Sequence, residues 1–202
     1  MTSQTQLSEC PRLGACRRAQ ARCSGWRQVE SLILGLVLLY VGGVLFINGL
    51  SMLGKIAPKE AAVMNLLTGG LSLFISLHEL GRSDPVSIRA GAFGLLFSFT
   101  YLWVAYVNLT AQDGKGLRWF SLFVAATAAL VTVDQMEVAH GIAGYWLAGC
   151  WAAWTLLWLC FFVIGALQRQ CWRRPVAWLT IGQSVLTARL PGYLLLSGRL
   201  LP

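Results

Sequence analysis

Three tryptophans, Trp151, Trp154 and Trp158, stand at a spacing that puts their indoles on one side of a helix. At about 100° per residue they span an arc of roughly 60°, with Leu147 beside them and Trp146 turned away. They climb about 10 Å at a rise of 1.5 Å per residue, so the middle ring lies well below a membrane surface. Membrane tryptophans ordinarily collect at the interfaces, and a ladder that leaves the interface needs another reason. Indole faces offer π surface and indole edges offer N–H donors. That chemistry suits a flat, neutral solute with a few hydrogen-bonding groups, held between rings. It does not suit an ion, because the apolar runs hold almost no charge and ion paths need rings of carbonyls or carboxylates. The competing account is ordinary packing of large rings.

Other segments could supply the facing walls. Leu34, Leu38, Val41, Leu45 and Asn48 share a helix face, an apolar ridge ending in one amide. Phe97 and Tyr101 stack at i, i+4. Asn65, Gly69, Ser72 and Ser76, and likewise Gly91, Gly94 and Ser98, are small-residue stripes that let helices approach closely. Thr180, Gln183 and Thr187 form a polar stripe in an otherwise apolar stretch.

Enzyme chemistry finds little support. There is no Ser/His/Asp set, glycine-rich phosphate loop or HExxH pattern. Asp134, Glu137 and His140, the only clustered polar candidates, belong near an interface. His78 and His140 are isolated and cannot hold a metal unaided. Cys10, Cys16 and Cys23 match no zinc spacing, and Cys150, Cys160 and Cys171 read as small hydrophobes or free thiols. No cofactor is expected.

The elements that must position these residues are membrane spans. The chain has 202 residues, 56% hydrophobic and 12% charged, with a mean hydropathy of +0.63. Six apolar runs approach the about 20 residues a bilayer crossing needs: roughly 32–53, 60–79, 88–110, 117–136, 142–167 and 175–197. In lipid every backbone N–H and C=O must be satisfied internally, so such runs form an all-α, polytopic bundle of six transmembrane helices. Lys55 to Pro58, Gly81 to Pro85, Asp113 to Gly116 and Arg173 to Pro175 are loop chemistry. The join between the fourth and fifth runs is the least defined.

Lys55, Lys59, Lys115, Arg118, Arg169, Arg173 and Arg174 occupy the odd-numbered loops, whereas the other loops and the C-terminus hold Arg82, Arg89 and Arg199. The positive-inside rule then puts both termini outside. Arg12, Arg17, Arg18, Arg22 and Arg27 oppose that reading, but residues 1–31 lack hydrophobic periodicity and read as a disordered basic tail. An over-called start is one explanation, with translation beginning near Val29 or Leu32. Part of the formal charge of +8 comes from this tail, and it is no evidence for nucleic acid binding. Residues 32–202 form the single remaining domain.

The segments LGLVLLYVGGVLFINGL (34–50), AAVMNLLTGGLSL (61–73), GLLFSFTYLWVA (94–105), RWFSLFVA (118–125), WAAWTLLWL (151–159) and LTARLPGYLL (186–195) resemble, in order, the AmiS/UreI family of urea and short-chain amide channels. The resemblance runs from about residue 33 to the C-terminus, and LVLLYVG, AVMN, FTYL and WxxWxxxW together are specific to it. It implies a bacterial inner-membrane homohexamer, each protomer a bundle of three two-helix hairpins around its own pore, with both termini periplasmic. The solute would be urea or a short-chain amide, moving passively, and a cytoplasmic amidase or urease is a possible functional partner.

Carried over by position, the pore lining implied is Leu38, Val41, Leu45, Phe97, Tyr101, Trp151, Trp154, Leu157 and Trp158. Leu157 falls off the face that the helical periodicity groups. A pore-lining glutamate of the family is Gln183 here, keeping hydrogen bonding without the charge; a following tryptophan is Arg189, and an outer one aligns with Leu147. Acid gating in the family uses titrating groups in long periplasmic loops. Here segments 80–88 and 134–142 are short, and the groups in or beside them are His78, Glu79, Asp84, Asp134, Glu137 and His140, so weak or absent gating is expected. The alternative is a structural or accessory membrane subunit without a pore.

Overall fold

Proline and glycine set where the helices of this chain begin and end. Pro58 and Pro85 each open a helix, where a missing N–H costs nothing. Before Pro85, the Asp84 carboxylate accepts from the backbone N–H groups of Val86 (3.1 Å) and Ser87 (3.0 Å), an N-cap. Gly114 (φ 65°), just ahead of the fourth helix, and Gly141 (φ 64°), the first residue of the fifth, take left-handed conformations. Gly141 fixes the break between those two helices at Ala139–His140.

A computed structural model describes residues 10–200, with side chains from residue 28 onward. Its helices are α1 (Cys10–Met52), α2 (Pro58–Gly81), α3 (Pro85–Thr110), α4 (Lys115–Val138), α5 (Gly141–Gly165), α6 (Arg173–Gln183) and α7 (Leu190–Leu196). A short 3-10 turn (Gln170–Trp172) precedes α6, and a π-helical stretch (Ser184–Arg189) joins α6 to α7. No strand occurs among the described residues. The backbone of α1 continues upstream of the expected boundary at residue 32; the tail cysteines and arginines lie outside the described side chains.

Residues Gln28–Met52 of α1, and α2 to α5, are each long and apolar enough to cross a membrane. The last apolar run is helical throughout but changes winding, in pieces of 11, 6 and 7 residues. Pro191 supplies the reason: it cannot donate to the preceding turn, and its ring crowds the carbonyl four residues back. A wider π turn just before it relieves both problems.

The helices associate chiefly in pairs: α2 on α3, α4 on α5, and α1 on the α6–α7 segment. Small residues make these approaches possible. Ser98 Oγ donates to the Gly69 carbonyl at 3.0 Å, joining α3 to α2 through the stripes on both helices. Gly91 and Gly94 sit against Ser76. Asn65, from the same α2 stripe, turns instead to α1, where its carboxamide pairs with that of Asn48. Along α1, Gly35, Gly42 and Gly49 recur every seven residues and face α7, the π turn and α6 in succession.

Candidate solute passage

Two cavities occupy opposite ends of the interior. The first, about 350 Å³, lies at the end where α1 and α3 enter and α2 and α4 leave. Leu38, Val41, Trp151 and part of Trp154 wall it, and Glu30, Glu79 and Gln135 stand at its rim. The second, about 300 Å³, lies at the other end, against Leu45, Tyr101, Leu157 and Trp158, with Arg118 and Arg173 among its lining. Phe97 and Trp154 line both. They form the partition between the two chambers.

That partition is an aromatic cluster. The Phe97 ring meets Trp151, Trp154 and Trp158 edge to face, with centroids 5.7, 5.1 and 4.9 Å apart, and Trp151 meets Trp154 at 5.4 Å. These T-shaped arrangements match the quadrupoles of the rings and each contributes about 0.5–1.5 kcal/mol beyond simple burial. Phe97, Trp154 and Trp158 are buried, whereas Trp151 is only partly so, as expected of a ring bordering a chamber.

The Trp154 indole is held from behind. Its Nε1–H donates to Thr187 Oγ1 at 2.9 Å, and Thr187 Oγ1 in turn donates to the Gln183 carbonyl at 2.8 Å. Thr187 lies in the π turn, so the change of winding presents this hydroxyl to the indole. Gln183 Nε2 donates to the Ala153 carbonyl at 2.9 Å, and Gln183 lines neither chamber. The polar stripe of the last span thus packs on the outer side of the tryptophan ladder. Thr187→Val should leave a buried indole N–H without a partner, at a cost of about 1–3 kcal/mol. A lower melting temperature in detergent, with a shifted tryptophan emission, checks this; unchanged values for both would mean that Thr187 does not anchor the ring.

Of the residues singled out from sequence, Leu38, Val41, Leu45, Phe97, Tyr101, Trp151, Trp154, Leu157 and Trp158 border one chamber or both. Leu157, off the helical face of the tryptophans, borders the second chamber beside Trp154, Trp158 and Phe161 of the same helix. Sequence reasoning did not single out Phe93, which meets Trp151 at 5.7 Å beside the first chamber, although its i, i+4 spacing to Phe97 was a usable signal. Thr187 was visible only as a member of a polar stripe.

The rims carry charge. Arg82 approaches Glu30 (3.3 Å), Glu79 (3.4 Å) and Asp84 (3.9 Å), tying the start of the α1 span to the α2–α3 turn beside the first chamber. Hydrogen bonds from Ser87, and the nearby Arg82, hold the Asp84 carboxyl below its ordinary range. At the opposite end, Arg118 donates to the Gly165 carbonyl (3.3 Å), linking α4 to α5.

Helices of this length and apolarity, arranged around a solute-sized interior, make this a multi-pass membrane protein. The chain belongs to the AmiS/UreI family of transporters, whose family model matches residues 33–199. It is 37% identical over 190 residues to the acid-activated urea channel of Helicobacter pylori, covering 81% of this chain and 97% of that one. It is 36% identical over 170 residues to a candidate amidate substrates transporter of Mycolicibacterium smegmatis, covering 81% of this chain and 76% of that one. In structure it is similar to the closed state of the H. pylori urea channel, with a TM-score of 0.74 at 37% identity over 80% of this chain and 96% of the other. A crystal structure of the urea channel from the same organism gives 0.73 at 38% identity, over 80% and 96%.

Proposed function

We propose that the protein is an inner-membrane channel through which urea or short-chain aliphatic amides diffuse passively, by way of an aromatic-lined pore within each subunit. The observation that carries this reading is the pair of chambers at opposite ends, meeting at the Phe97/Trp154 partition, in a member of this family. A flat solute passes edgewise between the rings, exchanging hydration for π contact. No carboxylate lines the second chamber, and two arginines do, a field that favours neutral solutes over cations. No Asp, Glu or Lys lies mid-span to couple transport to an ion gradient. The six spans form three helix pairs around the pore. The basic loops face the cytoplasm, so the first chamber is periplasmic and both termini lie on that side. Six subunits assemble, as the family resemblance implies, and a cytoplasmic amidase or urease would consume the incoming solute.

The test is solute-driven volume change of vesicles containing the purified protein, followed by stopped-flow light scattering. Urea and acetamide should enter faster than into protein-free vesicles. Equal rates would overturn the reading in favour of a subunit without its own pore.

The pH profile separates this channel from an acid-activated one. Asp84 has a lowered carboxyl pKa, so the contacts it makes are present at neutrality and are lost only as pH falls through that lowered value, below the ordinary carboxylate range. Its contacts with the α3 N-terminus and Arg82 therefore persist through the ordinary carboxylate range. Because segments 80–88 and 134–142 are short and hold few titrating groups, flux should change less than about twofold between pH 7.5 and 5. A steep rise below about pH 6 would contradict weak gating.

A further inference from the structure

The two chambers differ in what they offer a solute. The first is walled mainly by apolar side chains, with the Ser72, Ser76 and Ser87 hydroxyls as exceptions inside the rim of Glu30, Glu79 and Gln135. The second carries Asn48, Ser51, Thr100, Asn108 and Ser121. The second chamber therefore exposes the larger share of hydrogen-bonding surface on the two sides of the Phe97/Trp154 partition.

Neighbouring groups decide how that capacity is directed. Thr100 Oγ1 donates to the Leu96 carbonyl (2.7 Å) and Ser121 Oγ donates to the Leu117 carbonyl (3.0 Å). A hydroxyl whose single proton is committed can only accept. Both therefore present lone pairs. Asn48 is fixed differently. Asn65 is wholly buried, and its Nδ2 donates both to the Ala61 carbonyl (2.8 Å) and to Asn48 Oδ1 (2.6 Å), while Asn48 Nδ2 donates to Asn65 Oδ1 (3.1 Å). The helix carbonyl of Ala61 dictates which way the Asn65 amide faces, and Asn65 then dictates which way Asn48 faces. Asn48 keeps one N–H and one carbonyl lone pair beyond this reciprocal pair, at the wall of the second chamber.

Resting on the channel reading above, we propose that the second chamber is a recognition station for the primary amide group: Thr100 and Ser121 accept from the solute NH2, and Asn48 Nδ2 donates to its C=O. The Asn48–Asn65 pair is itself amide meeting amide, and its unused edge repeats that complementarity for a passing solute. At about 300 Å³ the chamber exceeds one small amide, so these contacts form in succession as the solute crosses. They replace water hydrogen bonds lost at the aromatic partition. A solute without N–H donors finds acceptors it cannot use, which favours urea and primary amides over N,N-dialkylated ones.

Vesicle flux measurements test this on Thr100→Val, which keeps the side-chain shape and removes the acceptor, and on Thr100→Ser, which restores a hydroxyl. A second variant, Asn48→Leu with Asn65→Leu, removes both partners of the amide pair and leaves neither unpaired. Urea and acetamide flux should fall about two- to tenfold in Thr100→Val and in the double variant. The concentration giving half-maximal flux should rise in both, and Thr100→Ser should return close to the parent. If the parent conducts and both variants match it in rate and half-saturation, the station is refuted while the channel stands. The same holds if Thr100→Ser is as impaired as Thr100→Val. If the parent conducts neither solute, the channel reading fails and the station with it.

Discussion

Trp154→Ala is expected to join the two chambers and to abolish most of the discrimination between acetamide and bulkier amides such as isobutyramide. Trp154 lines both cavities, and its ring, 5.1 Å from that of Phe97, forms half of the partition. A narrow site separates solutes by about 1–3 kcal/mol, or roughly 10–200-fold, per methylene, and isobutyramide exceeds acetamide by two. Without the indole that difference should shrink at least tenfold, and the larger amide should gain most. Deleting a buried tryptophan also costs about 3–5 kcal/mol of stability, so Trp154→Phe, which retains a ring, serves as the folded control and should keep most of the discrimination. Flux ratios in vesicles decide the matter: an unaltered acetamide to isobutyramide ratio in Trp154→Ala would remove Trp154 from the filter.

The second large effect concerns the contact between the first and last helices. A Cβ built on Gly192 of α7 would lie 2.7 Å from the Leu39 nitrogen and 2.9 Å from the Gly35 carbonyl oxygen of α1. Both are backbone atoms and cannot swing aside. The contact is mutual, since a Cβ on Gly35 would stand 3.0 Å from the Gly192 carbonyl oxygen, and one on Gly42 would meet Arg189 N at 2.8 Å and Ser184 O at 2.9 Å. Gly192→Val should therefore destabilise the fold by about 3 kcal/mol, at the upper end of the usual overpacking range. In practice, little monodisperse protein should survive heating in detergent. Gly182, on the neighbouring α6, has nothing within 4 Å of an added Cβ, so Gly182→Ala should be tolerated. Equal stability of Gly192→Val and Gly182→Ala would mean that the two helices do not touch through their backbones.

The helix boundaries were readable because they depend on local chemistry. Pro58, Pro85 and Asp84 start helices here, and the second to fifth apolar runs end within about a turn of the observed helices, whereas α1 begins at Cys10, far upstream of the expected residue 32. The Leu34–Asn48 face of α1 was also readable: all five of its members border a chamber. Other faces were divided by their neighbours. The α2 stripe sends Gly69 and Ser76 to α3 but Asn65 to α1. Gln183 carries the composition of a lining residue, and its Nε2 donates to the Ala153 carbonyl of α5, a partner that no helical period indicates. The glycine repeat at 35, 42 and 49 was open to a reader looking for a seven-residue period, but it shares α1 with the stronger apolar ridge.

Sequence alone determined that this is a helical membrane protein, where five of its spans lie and which side chains share each face. Those properties follow from the need to satisfy every backbone hydrogen bond in lipid and from the 3.6-residue period. Only the tertiary structure decided that Phe97 and Trp154 meet, that they divide the interior into two chambers, and that Thr187 and Gln183 stand behind the tryptophans. A period orders residues around one axis but leaves the rotation of each helix against the others undetermined. Here that rotation is set by close contacts between residues far apart in the chain, glycine against backbone and amide against amide, and by a π turn that brings Thr187 under the indole.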